Sequence, residues 1–110
     1  KQMSRDISCY VLRCEDGKYY TGSTKTAWVK KRFQEHLSGT GSKWCQLHKP
    51  IEIIKQTDNL LSHEGFRMEN TECRRIMREH NDIQVCRGGD YLFPETDRQS
   101  EWWSNGILSN

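Results

Sequence analysis

Long apolar runs are missing from this chain of 110 residues. No segment approaches the roughly 18 consecutive apolar residues of a membrane-crossing helix, and the start has no apolar signal-peptide core. Neither a membrane span nor a secretion signal is expected. Paired cysteines are missing too: Cys9, Cys14, Cys45, Cys73 and Cys86 are odd in number and contain no C-x-x-C pair. That argues against a disulfide framework and against a closed zinc cage. Cys45 and His48, three apart, are half of a metal site at most. Small buried thiols are the expectation, and with them a reducing intracellular compartment, cytoplasm or nucleus. Internal repeats and low-complexity tracts are absent as well.

Apolar residues are scarce, at 34%, against 29% charged. A chain of this length and composition makes one domain with a modest core and a large working surface. Net charge is small, +2, but it is unevenly spread. Residues 1–50 carry ten Lys and Arg against four acids, whereas residues 51–110 carry seven against eleven. The basic half, with Lys25, Lys30, Lys31, Arg32, Lys43 and Lys49, is a footprint for a polyanion; a solvated surface of mixed charge would look the same.

Two β-rich runs flank Glu15-Asp16-Gly17. Asp-Gly between such runs is a hairpin signal, which predicts strands over Ser8–Cys14 and Lys18–Thr21 and brings Tyr10 and Tyr20 into one neighbourhood. Gly22 stops the second strand. A helix is predicted from Thr26, its candidate N-cap, with Val29, Phe33 and Leu37 as the buried stripe. Trp28, Arg32 and His36 form the adjacent stripe at the rim. Because residues four apart share a helix face, Arg32 and His36 stand side by side near the tyrosines, a set of groups suited to a phosphate. The segment Lys43–Pro50 reads as a connector, Ile51–Lys55 as a third strand and Asp58-Asn59 as a turn. A second helix is predicted from Ser62 to about His80, with Leu61 and Phe66 as a hydrophobic staple.

At about 100° per residue, that helix places Phe66, Cys73, Ile76 and Met77 on its core face. Glu69 falls between Ile76 and Cys73, so its carboxylate points at the core edge. An acid there is costly unless paired or bound to a cation. Two expectations follow: a salt bridge with a lysine or arginine of the first helix, or a site for Mg²⁺, which takes one or two carboxylates and completes its shell with water and phosphate oxygens.

The order of these parts resembles the GIY-YIG nucleases over roughly residues 8–92. Ser8-Cys9-Tyr10 stands where the family has Gly-Ile-Tyr, and Tyr20-Thr21-Gly22 where it has Tyr-Ile-Gly. A helix with Arg32 and His36 follows, then Glu69 on a later helix. Ser42-Lys43-Trp44, Lys49-Pro50-Ile51 and Arg87-Gly88-Gly89 further resemble small phage and viral members. The resemblance implies an α+β fold, a small three-stranded antiparallel sheet flanked by helices, that cuts phosphodiester bonds with a divalent metal, Mg²⁺ or Mn²⁺. It implies catalytic roles for Tyr10 and Tyr20 at the attacking water, Arg32 at the phosphate charge, His36 as an orienting or protonating group, and Glu69 as metal ligand. Ser23 stands where members carry lysine or serine, and Asn81 is matched to an asparagine that often closes the site. Ser23, Lys31, Lys43, Trp44 and Asn81 are expected to meet the substrate, Trp44 by stacking on a base unless it is instead a core plug.

Residues 1–93 are expected to form the nuclease-like domain and residues 94–110 a polar tail whose Trp102-Trp103 packs back or meets a partner. DNA is the expected partner. With little room for a separate recognition domain, specificity would come from a homodimer, a fused domain or a partner. The loosened first motif also motivates an alternative expectation, a DNA-binding or interaction module of the same fold with weakened chemistry.

Overall fold

The structure, a computed structural model, describes residues 4–92 and 100–108, with the side chains of the last segment described from Trp103. The hairpin forms as the Asp-Gly signal requires, but Gly22 does not stop its second strand: β1 (Ile7–Cys14) and β2 (Tyr19–Lys25) are antiparallel, with Tyr10 opposite Gly22 and Leu12 opposite Tyr20, and the pairing carries β2 on to Lys25 opposite Ile7. This register places Tyr10 and Tyr20 on one face, one cross-strand pair apart. Thr21 and Ser23 therefore point to the other face.

The first helix is shorter than predicted. Thr26–Trp28 form a 3-10 turn and α1 runs Val29–Ser38. Thr26 does not cap α1; its hydroxyl is 2.6 Å from Ser8 Oγ, and the backbone tightens before the helix begins. The connector contains a further helix, α2 (Lys43–Leu47), capped by Ser42, whose hydroxyl accepts from the Cys45 N–H at 3.1 Å. Five residues are too few to show a period, which is why the pattern reads as irregular. β3 runs Pro50–Leu60, through the Asp58-Asn59 pair predicted as a turn; Asn59 takes its positive φ inside the strand. Shifts in the pairing of β1 with β3 accommodate it.

α3 (Ser62–His80) starts one residue earlier than a Ser62 cap implies. Leu61 is the N-cap, and its N–H donates to Glu64 Oε1 at 2.8 Å. Phe66 is 47% exposed and is no staple: Gly65, next to it, packs against Ile7 and Ser23, which turns Phe66 outward. Cys73, Ile76 and Met77 are buried as predicted.

The sheet departs from the expected three antiparallel strands. A fourth, β4 (Cys86–Gly88), lies parallel to β2, giving the order β3-β1-β2-β4 and a mixed sheet. Three residues beside a glycine turn carry too little alternation to announce a strand. The α+β class stands, because helices flank a single sheet.

Each face of the sheet has its own core. Tyr10, Leu12, Cys14 and Cys45 pack on the α1 side with Tyr20, Phe33 and Ile53. Val11, Cys73, Ile76, Met77, Ile83, Val85 and Cys86 pack on the α3 side, joined by Trp103 and Ile107 of α4 (Ser100–Leu108). Trp103 thus packs back onto the fold. The side chain of Trp102 and the 93/94 boundary lie outside the described residues. All five cysteines are free and buried. No helix among the described residues is long and apolar enough to cross a membrane.

Candidate active site

On the α1 face, Tyr10, Tyr20 and His36 meet. His36 is 1% exposed, far deeper than the rim position its stripe predicts, because α1 is tilted so that the His36 edge rather than Phe33 or Leu37 is innermost. Tyr10 Oη lies 3.0 Å from His36 Nε2, and the ring of Tyr20 meets that of His36 edge-on at 5.0 Å. The Ser42 N–H donates to His36 Nδ1 at 3.4 Å. Since Nδ1 accepts, the ring proton sits on Nε2 and is donated to Tyr10 Oη. The tyrosine's own proton is thereby left to point elsewhere.

Gly22 makes this arrangement possible. A Cβ at that position would lie 2.5 Å from Tyr10 Oη, so only glycine lets the phenol cross the neighbouring strand. Burial pushes both phenols upward: Tyr20 to about 12, with the charges of Cys45 and Glu69 adding to the shift and Ser42 and Arg32 opposing it. Tyr10 rises further, through burial and the nearby Tyr20, with Arg32 partly offsetting. Both are therefore neutral phenols at neutral pH.

Arg32 stands half exposed above this pair and ties one arm of its fork to Glu35 at 2.8 Å. That bond raises its already high pKa, so it is a permanent cation at the mouth of the cluster.

Glu69 comes from the other side. α3 crosses β2 on the Thr21 and Ser23 face, where Thr21 Oγ1 donates to the Glu69 carbonyl at 3.0 Å. The Ser23 hydroxyl donates to Glu69 Oε2, and the Gly89 N–H donates to Oε1 at 3.1 Å. β4 has ended by then, so the carboxylate lies at the open edge of β2. The carboxylate reaches β2 from the α3 face and the phenols lie on the α1 face, so the link between the two sets is electrostatic: the Glu69 charge raises both tyrosines.

The Glu69 carboxyl itself lies above its ordinary value, because burial outweighs its bonds from Ser23 and Gly89, and Asp90 adds to the rise. No ion pair among the described residues involves Glu69. The salt-bridge expectation is set aside; Glu72, one turn on, is the acid that pairs, with Lys55 at 3.0 Å and Arg75 at 2.6 Å. A desolvated carboxylate with one bond per oxygen keeps lone pairs for a hard cation. Among the described residues no three His, Cys, Asp or Glu side chains cluster as an all-protein cage requires. The donor set fits a cation such as Mg²⁺, which keeps most of its shell in water and phosphate.

The remaining expected residues fall into place unevenly. Lys43 is exposed and shares a cavity of about 260 Å³ with Tyr20, Ser42 and Gly88. Lys31 is exposed beside Arg32. Trp44 is 3% exposed, donates Nε1–H to the Tyr19 carbonyl at 2.7 Å and has its ring occupied by Arg87 at 4.9 Å and His48 at 4.5 Å. It is a core plug, with no free face for a base. Asn81 is the left-handed C-cap of α3 and exposed; twelve residues along the helix, it is about 18 Å from Glu69.

Sequence reasoning missed Asn70 and Asp90. Asn70 donates to Asp90 Oδ2 at 3.0 Å and accepts the Asp90 N–H at 2.8 Å, a two-way clamp that fixes the loop carrying the Gly89 N–H. Gly89 needs its positive φ of 56° and has no room for a side chain against Asn70. The Gly88-Gly89 pair was the only signal for this loop.

A family profile described as the GIY-YIG catalytic domain matches residues 6–72. Among curated relatives, a UPF0213 protein of Halalkalibacterium halodurans is 29% identical over 82 residues, 74% of this chain and 85% of that protein. One of Cupriavidus necator is 45% identical over 67 residues, 61% of this chain and 70% of that protein. One of Fusobacterium nucleatum is 50% identical over 44 residues, 40% of this chain and 42% of that protein. No solved structure matches the chain. The domain matched is a nuclease fold whose members generally use divalent metals, and with the profile spanning more than half of its residues this chain belongs to the GIY-YIG family.

Proposed function

We propose that the chain is a DNA endonuclease that hydrolyses phosphodiester bonds with the help of a divalent metal, Mg²⁺ or Mn²⁺. The observation that carries this reading is the Glu69 carboxylate, desolvated, aimed by Ser23 and Gly89 and without an ion pair among the described residues. It lies within electrostatic reach of two buried phenols.

Arg32 donates the free part of its fork to a non-bridging oxygen of the scissile phosphate. Tyr10 and Tyr20 hold the water that attacks in line, and His36 fixes Tyr10 so that its hydroxyl is presented in one orientation. The water oxygen bonds to phosphorus as one of its protons passes to solvent, the bond to the 3′ oxygen breaks and that oxygen takes a proton from solvent, leaving a 5′ phosphate and a 3′ hydroxyl. Glu69, oriented by Ser23, would hold the metal, which would supply positive charge beside the phosphate and make bound water more acidic. Lys31 and Lys43 contact the flanking backbone, and Trp44 supports the wall behind Tyr20. The Asn70 and Asp90 clamp, rather than Asn81, steadies the Gly89 side of the site. Homodimer formation has no support in the single chain described.

The test is nicking of supercoiled plasmid with Mg²⁺ or Mn²⁺ and a chelator control. Glu69→Ala or Arg32→Ala abolishes nicking while circular dichroism is unchanged. Retained cutting by either pure variant, or binding of plasmid by the wild type with no metal-dependent nicking, refutes the assignment.

A further inference from the structure

A single apolar side chain on the surface needs no explanation, but an exposed indole ringed by cations beside a phosphate-binding arginine has the two groups that single-stranded nucleic acid requires, a stacking face and positive charge. Trp28 is such a residue. It is 52% exposed at the end of the 3-10 turn leading into α1, and the folding of the chain draws little from it. It is the N-cap of α1, four residues before Arg32. Thr24, Trp28, Lys31, Arg32 and Glu35 line one open cavity of about 240 Å³.

Arg32 belongs to this cavity and to the phenol cluster at once, so the cavity continues the active site along α1. Lys25 Nζ lies 5.0 Å from the centre of the indole, and Lys31 and Arg32 add two more cations. Glu35 also lines the cavity and is held against Arg32 at 2.8 Å. The combination of a half-open indole and three cations complements a polyanion that carries flat π faces. Within a duplex the bases stack on each other and offer no face to a side chain, whereas unpaired bases stack on tryptophan.

We propose that Trp28 is a stacking platform for an unpaired base lying next to the phosphate held by Arg32. The substrate class is then DNA with a single-stranded element beside the cut. The inference rests on the nuclease reading for the phosphate at Arg32 and extends it to the form of DNA preferred.

The test measures binding by the full chain in chelator at fixed salt, where nothing is cut. The probes are a 12-nucleotide strand containing 2-aminopurine and the same strand annealed to its complement. The wild type binds the single strand more tightly and quenches its 2-aminopurine. Trp28→Ala binds the single strand roughly ten- to hundredfold more weakly and the duplex within about twofold of wild type, while Trp28→Phe recovers most of the single-strand affinity. Equal single-strand affinity of Trp28→Ala and wild type, or an equal loss on both probes, overturns the stacking role and leaves the nuclease reading standing. A wild type that binds neither probe and nicks no plasmid overturns both.

Discussion

Tyr10→Phe isolates the least ordinary bond of the site, the one between a strand phenol and the buried imidazole of α1. In the native fold His36 Nε2–H has Tyr10 Oη as its acceptor at 3.0 Å, and the ring is 1% exposed. Deleting the hydroxyl leaves that donor buried with nothing to replace it, since the other ring nitrogen is engaged by the Ser42 N–H. An orphaned buried donor costs about 1–3 kcal/mol, against which loss of the phenol's own burial penalty is a small return. For a domain of this size that lowers the melting temperature by roughly 4–8 °C per kcal/mol.

The assay is urea unfolding followed by tryptophan fluorescence for Tyr10→Phe, His36→Phe and the double variant. If the two side chains act through the bond, the double variant is more stable than the sum of the single losses implies, with a coupling of at least about 1 kcal/mol. On the proposed mechanism the same pair sets the Tyr10 hydroxyl for the attacking water, so both single variants lose cleavage to a similar extent and the double variant loses little more. Additive stability losses would show that the hydrogen bond contributes nothing as a unit, and the tautomer argument built on it would fall.

Two further predictions concern the carboxylate and the glycine. Glu69 has its carboxyl raised in the fold above the usual 4.5, so the folded state holds its proton longer than the unfolded one. The stability this gives is present below about pH 4.5 and is lost as pH rises through the folded-state value. Glu69→Gln removes that part of the slope and leaves stability at pH 7 equal or higher, while nicking is lost; thermal melts from pH 4 to 8 check it, and an unchanged slope counts against the desolvated carboxylate. Gly22→Ala drives a methyl into Tyr10, whose ring cannot swing away from His36. It destabilises by about 1–3 kcal/mol and lowers cleavage together with the melting temperature; a variant melting and cutting like wild type would mean that the strands can part at no cost.

How much of this was legible in the sequence depends on the range of the interactions. The hairpin turn and the long α3 rest on local signals, a turn dipeptide and a helical period, and they are where the pattern puts them; Arg32 and His36 share α1 as the period requires, but His36 is buried where the stripe put it at the rim. β4 and α2 rest on contacts made across the fold. Cys86–Gly88 becomes a strand because β2 offers an open edge beside Tyr19–Thr21, and nothing in three residues encodes that. Phe66 shows the converse, an apolar residue at a core angle turned outward because Gly65 must sit against Ile7 and Ser23.

The same distinction explains the site. Glu69 was placed at the core edge by its helical angle, and there it lies. What the angle could not supply is the face: α3 covers the Thr21 and Ser23 side of β2, while Tyr10 and Tyr20 lie on the α1 side. A carboxylate and phenols on opposite faces of a sheet can cooperate only at an edge. The edge exists because β4 stops at Gly88 and the next residue turns its N–H to Glu69. On the proposed function, the short parallel strand that the sequence did not announce is therefore the element that decides where the two halves of the site meet one phosphate.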